Sequence, residues 1–329
     1  LIRLLHLCCC TFRPTAKLGC FGNLTRLHLI SVHISGDELG CLLSNSLALE
    51  QLRLNYCHEI IYVKVPFLLH QLSYMEVYHC RQLQVIESKA PNLRSLRFID
   101  GRVQHSFGES LLMKNIYMHS SSVLCHACVE LPSISPNLET LTIVSSSEIV
   151  NKCTIPSKFL HLKYLHIALS GINIFPSYDY FSLVSFLDAA PSLEIFILDF
   201  QVTSRHTEND SVFVDSSHLR QMPEHHHDNL RNVKITCFRS AKTLVELTCH
   251  ILKNASIECL TLDTTCFPMR KDALMEAPKA LFAIAIYIEG KVPSTVKLSI
   301  VPPCSRCHAI EFRCQVIIIH YTLAHFSPR

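Results

Sequence analysis

Tryptophan is absent from this chain of 329 residues, and glycine occurs only eight times. So few glycines argue against a phosphate-cradling loop, and neither GxxxxGK[ST] nor GxGxxG is found. An excess of charge is lacking too. Thirty Lys and Arg stand against 27 Asp and Glu, for a formal net charge of +3. Net electrostatics therefore give no case for binding nucleic acid or a membrane. No uncharged run reaches the ~18–20 residues that span a bilayer. The longest candidate, Cys314–Phe326, is shorter and carries His320 and His325. Leu1–Cys10 is apolar but has no charged leader and no small-residue cleavage site. The patterns G-x-S-x-G, H-E-x-x-H and the EF-hand loop are missing as well.

Apolar residues, by contrast, make up 49% of the chain, which excludes disorder as a whole. Cysteine is abundant, at 17, an odd number that leaves at least one thiol unpaired. Many of these cysteines sit beside or inside apolar positions, where a small buried thiol suits the site. A secreted disulfide framework is not the pattern; a reducing compartment, cytoplasm or nucleus, is expected.

One apolar phrase recurs. Leu49-Glu50-Gln51-Leu52-Arg53-Leu54-Asn55-Tyr56-Cys57 reads L-x-x-L-x-L-x-x-C, and Leu72, Met75, Val77 and Cys80 repeat it with the same gaps. This is the signature of a leucine-rich repeat. Phrases begin at Ile2, Leu24, Leu49, Leu72, Leu93, Leu138, Leu162, Leu193, Leu230 and Ile257. The steps are 22, 25, 23, 21, 45, 24, 31, 37 and 27 residues. The longest step is two periods, with a weak phrase (Met113, Ile116, Met118) between them. Most steps lie near the ~20–29 residues of such repeats. The chain reads as starting inside an array already under way.

The alternation within each phrase is that of a strand: Leu52 and Leu54 point inward, Gln51, Arg53 and Asn55 outward. The expected fold is α/β, a solenoid with a curved parallel sheet on its concave face and helices and loops on its convex face. One return segment reads as a helix, with Ser35 as cap, Asp37 and Glu38 in the first turn, and Leu39, Leu42 and Leu43 on one face. Pro66, Pro91, Pro136, Pro156 and Pro191 precede later phrases and favour an extended approach.

Four regions follow. Residues 1–202 form the repeat array. Residues 203–228 are polar, rich in Ser, Asp and His, and read as a long loop. Residues 229–308 form a C-terminal unit that continues the solenoid: a strand at Leu230–Ile235, an amphipathic helix at Lys242–Asn254 and a parallel strand at Ile257–Leu262. A second helix at Ala277–Glu289 and a strand at Thr295–Val301 complete it. Residues 309–329 fit no repeat.

The phrases at Leu49–Cys57 and Leu72–Cys80 carry a family resemblance. So do Asn229–Thr236, Leu244–Leu247, Ile251–Ala255 and the endings Glu289–Val296 and Pro303–His308. Over roughly residues 20–310 the chain resembles plant F-box/leucine-rich-repeat proteins with a C-terminal FBD-like region. The resemblance implies a substrate adaptor of an SCF-type ubiquitin ligase. Its repeats would hold a protein substrate, while an F-box, not contained in these residues, would recruit the ligase's adaptor subunit. The runner-up is a repeat scaffold or immune-receptor-type recognition fragment with no ubiquitin role. A third reading is a metal or redox protein.

Several motifs weigh little against that reading. Cys304-x-x-Cys307-His308 matches a haem-attachment pattern, but no export signal accompanies it. Cys125-x-x-Cys128 could add two thiolates for zinc, yet 176 residues separate Cys128 from Cys304, and a solenoid keeps such segments apart. His225-His226-His227 reads as a solvated loop. No catalytic residue, metal or cofactor is assigned, and no enzyme is expected. The binding candidates are outward strand residues: Arg26, His28, Gln51, Arg53, Tyr74, Glu76, Arg97, Thr140, Thr142, Tyr164 and His166. Together they would present ladders to a protein partner, not to nucleic acid or a membrane.

Overall fold

In the computed structural model the apolar positions of the phrases become the core. Leu24, Leu49, Leu72, Leu93 and Leu162 are fully inaccessible, and Leu138, Leu193, Leu230 and Ile257 are nearly so. Burying one such side chain contributes about 1.5–3 kcal/mol. Ile2 is the exception at 45% exposed. The structure describes residues 2–14, 21–99, 104–106, 112–146, 148, 157–170, 178–201, 211–214, 218–220, 225–266 and 271–303.

The strands are β1 (Leu4–Cys8), β2 (Arg26–Ile30), β3 (Gln51–Asn55), β4 (Tyr62–Val65), β5 (Tyr74–Tyr78), β6 (Val85–Ser88), β7 (Ser95–Ile99), β8 (Gln104–Ser106), β9 (Asn115–Ser121), β10 (Thr140–Ser146), β11 (Tyr164–Ser170), β12 (Ile195–Gln201), β13 (Asn232–Ile235), β14 (Cys259–Asp263) and β15 (Lys297–Val301). The helices are α1 (Gly36–Ser44), α2 (Val123–Ile134), α3 (Val184–Ala189), α4 (Lys242–Asn254) and α5 (Lys271–Tyr287).

Twelve strands pair in parallel into one sheet, ordered β1-β2-β3-β5-β7-β9-β10-β11-β12-β13-β14-β15. The sheet runs unbroken into the C-terminal unit, where β13 and β14 are parallel on either side of α4, as expected of that crossover. The phrases at β3 and β5 both alternate half-buried and buried residues. The cysteine that ends the phrase also has a structural task. Cys57 Sγ donates to the Leu29 carbonyl at 3.7 Å and Cys80 Sγ to the Leu54 carbonyl at 3.5 Å, each reaching back to the preceding repeat.

The reverse side holds the helices. Ser35 caps α1 with a full capping box: its hydroxyl accepts from the Glu38 amide, and Glu38 accepts from the Ser35 amide at 2.8 Å. Beside α1 lies a second parallel sheet, β4-β6-β8, that the phrases do not announce. Gly36 makes this close packing possible, since a Cβ there would sit 2.7 Å from the Tyr62 carbonyl oxygen. The chain leaves the sheet through left-handed residues, Cys9, Ser31, Tyr56, His79 and Ser122, each directly after a strand.

One expectation needs correction. The second C-terminal helix begins at Lys271 and runs through Pro278, where the sequence places a start at Ala277. Proline removes one backbone bond, but Ala280, Ala283, Ile284 and Ile288 pack this helix and the turn after it into the core. Cys237 and Cys266, in the turns after β13 and β14, form a disulfide with Cα atoms 4.5 Å apart. Most of the polar segment 203–228 and the Cys304, Cys307 and His308 motif lie outside the described residues, as do residues 309–329.

Candidate functional site

Parallel pairing fixes which outward residues become neighbours. One row runs Leu4, Arg26, Gln51, Tyr74, Ser95, Asn115, Thr140 and Tyr164, each opposite the next across adjacent strands. The central row runs His6, His28, Arg53, Glu76, Arg97, Tyr117, Thr142 and His166, then Ile197, Lys234 and Thr261. All the outward candidates therefore lie in two adjacent rows of one sheet face. His6, Tyr117 and Lys234 join these rows beside the residues that alternation singles out. Tyr117 sits in the weak phrase between Ile116 and Met118, which is the signal that locates it.

The centre of the face is preorganised. Tyr74 donates to Glu76 Oε2 at 2.6 Å. Burial first, and this bond second, push the Tyr74 phenol up to about 12. The Arg53 guanidinium lies over the Tyr74 ring at 5.4 Å, and that of Arg97 over the Tyr117 ring at 4.4 Å. Such stacking holds a guanidinium in place while leaving its donors free to bond. His6 and His28 meet edge-on at 5.9 Å. Burial, then the Arg53 charge, holds the His28 imidazole below its usual value, and burial does the same at His166. Three polar atoms on this row, His28 Nε2, Arg53 Nε and His166 Nε2, are buried without a hydrogen-bond partner.

A third row, one residue outside Arg26 and Gln51 on the rim, behaves differently. There opposite charges pair between repeats: Lys114 with Glu139 at 2.6 Å, Lys163 with Glu194 at 3.5 Å, and Arg231 with Glu258 at 3.7 Å. Backbone bonds join the same residues, from Glu139 N to Lys114 O, Lys163 N to Glu139 O, and Glu258 N to Arg231 O. From Lys114 onward the rim row pairs its charges. Among the described residues, Arg26, Arg53, Arg97 and Lys234 on the two inner rows form no ion pair.

The reverse side carries a second polar cluster. Arg220 binds Asp179 with two hydrogen bonds, 2.9 and 2.7 Å, and donates to the buried Glu246 at 2.8 Å. These contacts pin residues 218–220 to α4. Nearby, Asp188 lies 3.3 Å from His225 and 3.6 Å from His227. The expected solvated histidine loop is thus partly docked, with His227 buried at 6% exposure. His250 and Asn254 complete the cluster. A cavity of about 460 Å³ beside it is lined by Arg220, Glu246, Cys249, His250, Asn254 and Lys291, among others. Cys128 is buried in α2, and burial pushes its thiol well above the usual range. Among the described residues no group of three or more His, Cys, Asp or Glu side chains is placed to hold a metal ion. Nor is any helix there long and apolar enough to cross a membrane.

The fold defines a leucine-rich-repeat protein, a class that serves protein–protein interaction. A family model described as At1g61320/AtMIF1, LRR domain, matches residues 1–305, and the chain belongs to that family. Comparison with curated proteins finds no match.

Proposed function

We propose that this chain is the protein-holding part of an SCF-type ubiquitin ligase adaptor. The observation that carries the protein-binding role is the central row of the sheet, where Arg53, Glu76 and Arg97 stand opposite one another and the two arginines rest on tyrosine rings. Arg and Tyr are common interface anchors, because they bring large contact area with little loss of freedom. Support for the ligase role comes from the resemblance of Leu49–Cys57, Leu72–Cys80, Asn229–Thr236, Leu244–Leu247 and Ile251–Ala255 to F-box/leucine-rich-repeat proteins with an FBD-like region. On this reading the chain is non-catalytic, works by position alone, and acts in the cytoplasm or nucleus.

The test is the full-length gene product. Its coding sequence upstream of residue 1 should encode an F-box, and the product should co-purify with the ligase's adaptor subunit. A nucleotide-binding domain in that place, or failure to co-purify, removes the ligase role. Fractionation of cells expressing the full-length product should place it in the cytosol or nucleus; recovery only from a secreted fraction contradicts that part.

A further inference from the structure

The distribution of charge on the sheet is uneven in a way that the whole chain is not. Over the full sequence cations and anions number 30 and 27. In the two inner rows the cations are Arg26, Arg53, Arg97, Lys234 and Lys297, while Glu76 is the sole carboxylate. From Lys114 to Glu258 the rim row, one residue away, pairs its charges between repeats. So the fold places pairing carboxylates within reach on the rim and leaves the inner cations uncompensated.

We infer that the sheet face is built to take an acidic, extended peptide segment of a partner protein, whose carboxylates pair with Arg53 and Arg97. This rests on the protein-binding reading above. Arg53 is opposite Glu76, and Glu76 opposite Arg97, so the two arginines lie two strands apart. Neighbouring strands are about 4.8 Å apart, which puts their backbones roughly 10 Å apart. A polyproline-II segment rises about 3.1 Å per residue with three residues per turn, so carboxylates at i and i+3 fall on one side at a similar spacing. The segment would run along the solenoid, across the strands. Its two acidic residues would accept from guanidinium groups already stacked on Tyr74 and Tyr117. Glu76 sits between them and repels a third negative charge. That disfavours a continuous polyanion such as a nucleic-acid strand and selects for the gap in E-x-x-E.

The experiment is selection of a random nine-residue peptide library on the whole chain, followed by fluorescence polarisation of the selected peptides. Support is enrichment of Asp or Glu at i and i+3, with binding reduced about tenfold by Arg53→Ala or Arg97→Ala and weakened by added salt. Glu76→Gln should tolerate, or prefer, an acidic residue between the two. Peptides without acidic bias, or ones indifferent to both arginine variants, overturn the inference; if they still protect β3, β5 and β7 from hydrogen exchange, the protein-binding face stands. Tighter binding of an oligodeoxythymidine probe than of any peptide also overturns it. A selection that yields no binder, or only binders protecting the reverse side, overturns both.

Discussion

The Tyr74 hydroxyl donates to Glu76 Oε2 at 2.6 Å, two residues along the same strand, in the middle of the exposed sheet face. Alternation turns both side chains outward, and parallel pairing sets Glu76 between Arg53 and Arg97. Removing the carboxylate charge with Glu76→Gln should bring the Tyr74 phenol down from about 12, part of the way to its ordinary value, because burial is the larger cause and remains. An ultraviolet titration compared with that of Tyr74→Phe isolates this group. An unchanged titration would show that the bond is not formed.

Acid should weaken the fold before any carboxylate titrates. His28, His166, His227 and His250 are all held below their ordinary value, with burial the leading cause at each. Between the folded values and the unfolded value of about 6.5, the unfolded chain binds more protons. Stability is therefore full above about pH 6.5 and falls as pH drops below it. The urea midpoint should be lower at pH 5.5 than at 7.5, and replacing these four histidines with Gln should flatten the difference. Equal midpoints in the parent chain would contradict the burial of the rings.

The terminal cysteine of the phrase is a repeat-joining group. Cys57 Sγ reaches the Leu29 carbonyl across one repeat and is fully buried. Cys57→Ala should cost about 1–2 kcal/mol, from a lost weak hydrogen bond and a small cavity. Denaturant unfolding measures this, while the exposed Cys9→Ala serves as the near-neutral control. A neutral Cys57→Ala would remove the structural role.

Packing between α1 and β4 leaves no room for a methyl group at Gly36, where a Cβ would meet the Tyr62 carbonyl oxygen at 2.7 Å. Gly36→Ala should cost about 1–3 kcal/mol. Gly40→Ala, in the same helix with nothing within 4 Å, should be neutral or stabilising. Similar thermal shifts for both would mean that α1 does not pack as described.

Much of this was legible in the residues because a repeat multiplies weak signals. One L-x-x-L-x-L is poor evidence, but the recurrence of Leu24, Leu49, Leu72 and Leu93 identifies buried positions that the fold places at full burial. The capping box at Ser35 and the crossover through α4 are local patterns and read directly. The second sheet did not read, because β4 and β6 are four residues each and carry no phrase of their own. The docking of His227 on Asp188 joins segments in different repeats, and no local spacing encodes it. The outward residues could be named from alternation alone. Their neighbours could not, because register across strands decides that Arg53 faces Glu76 and that Arg97 lies over Tyr117.

The most direct measurement is site-specific photocrosslinking in cells. A photoreactive residue placed at Arg53, Tyr74 or Tyr164 on the sheet face should yield discrete adducts with a partner protein, and one at Lys89 or Val129, outside that face, should not. Adducts only from Lys89 or Val129 would contradict the claim that this sheet is the recognition surface.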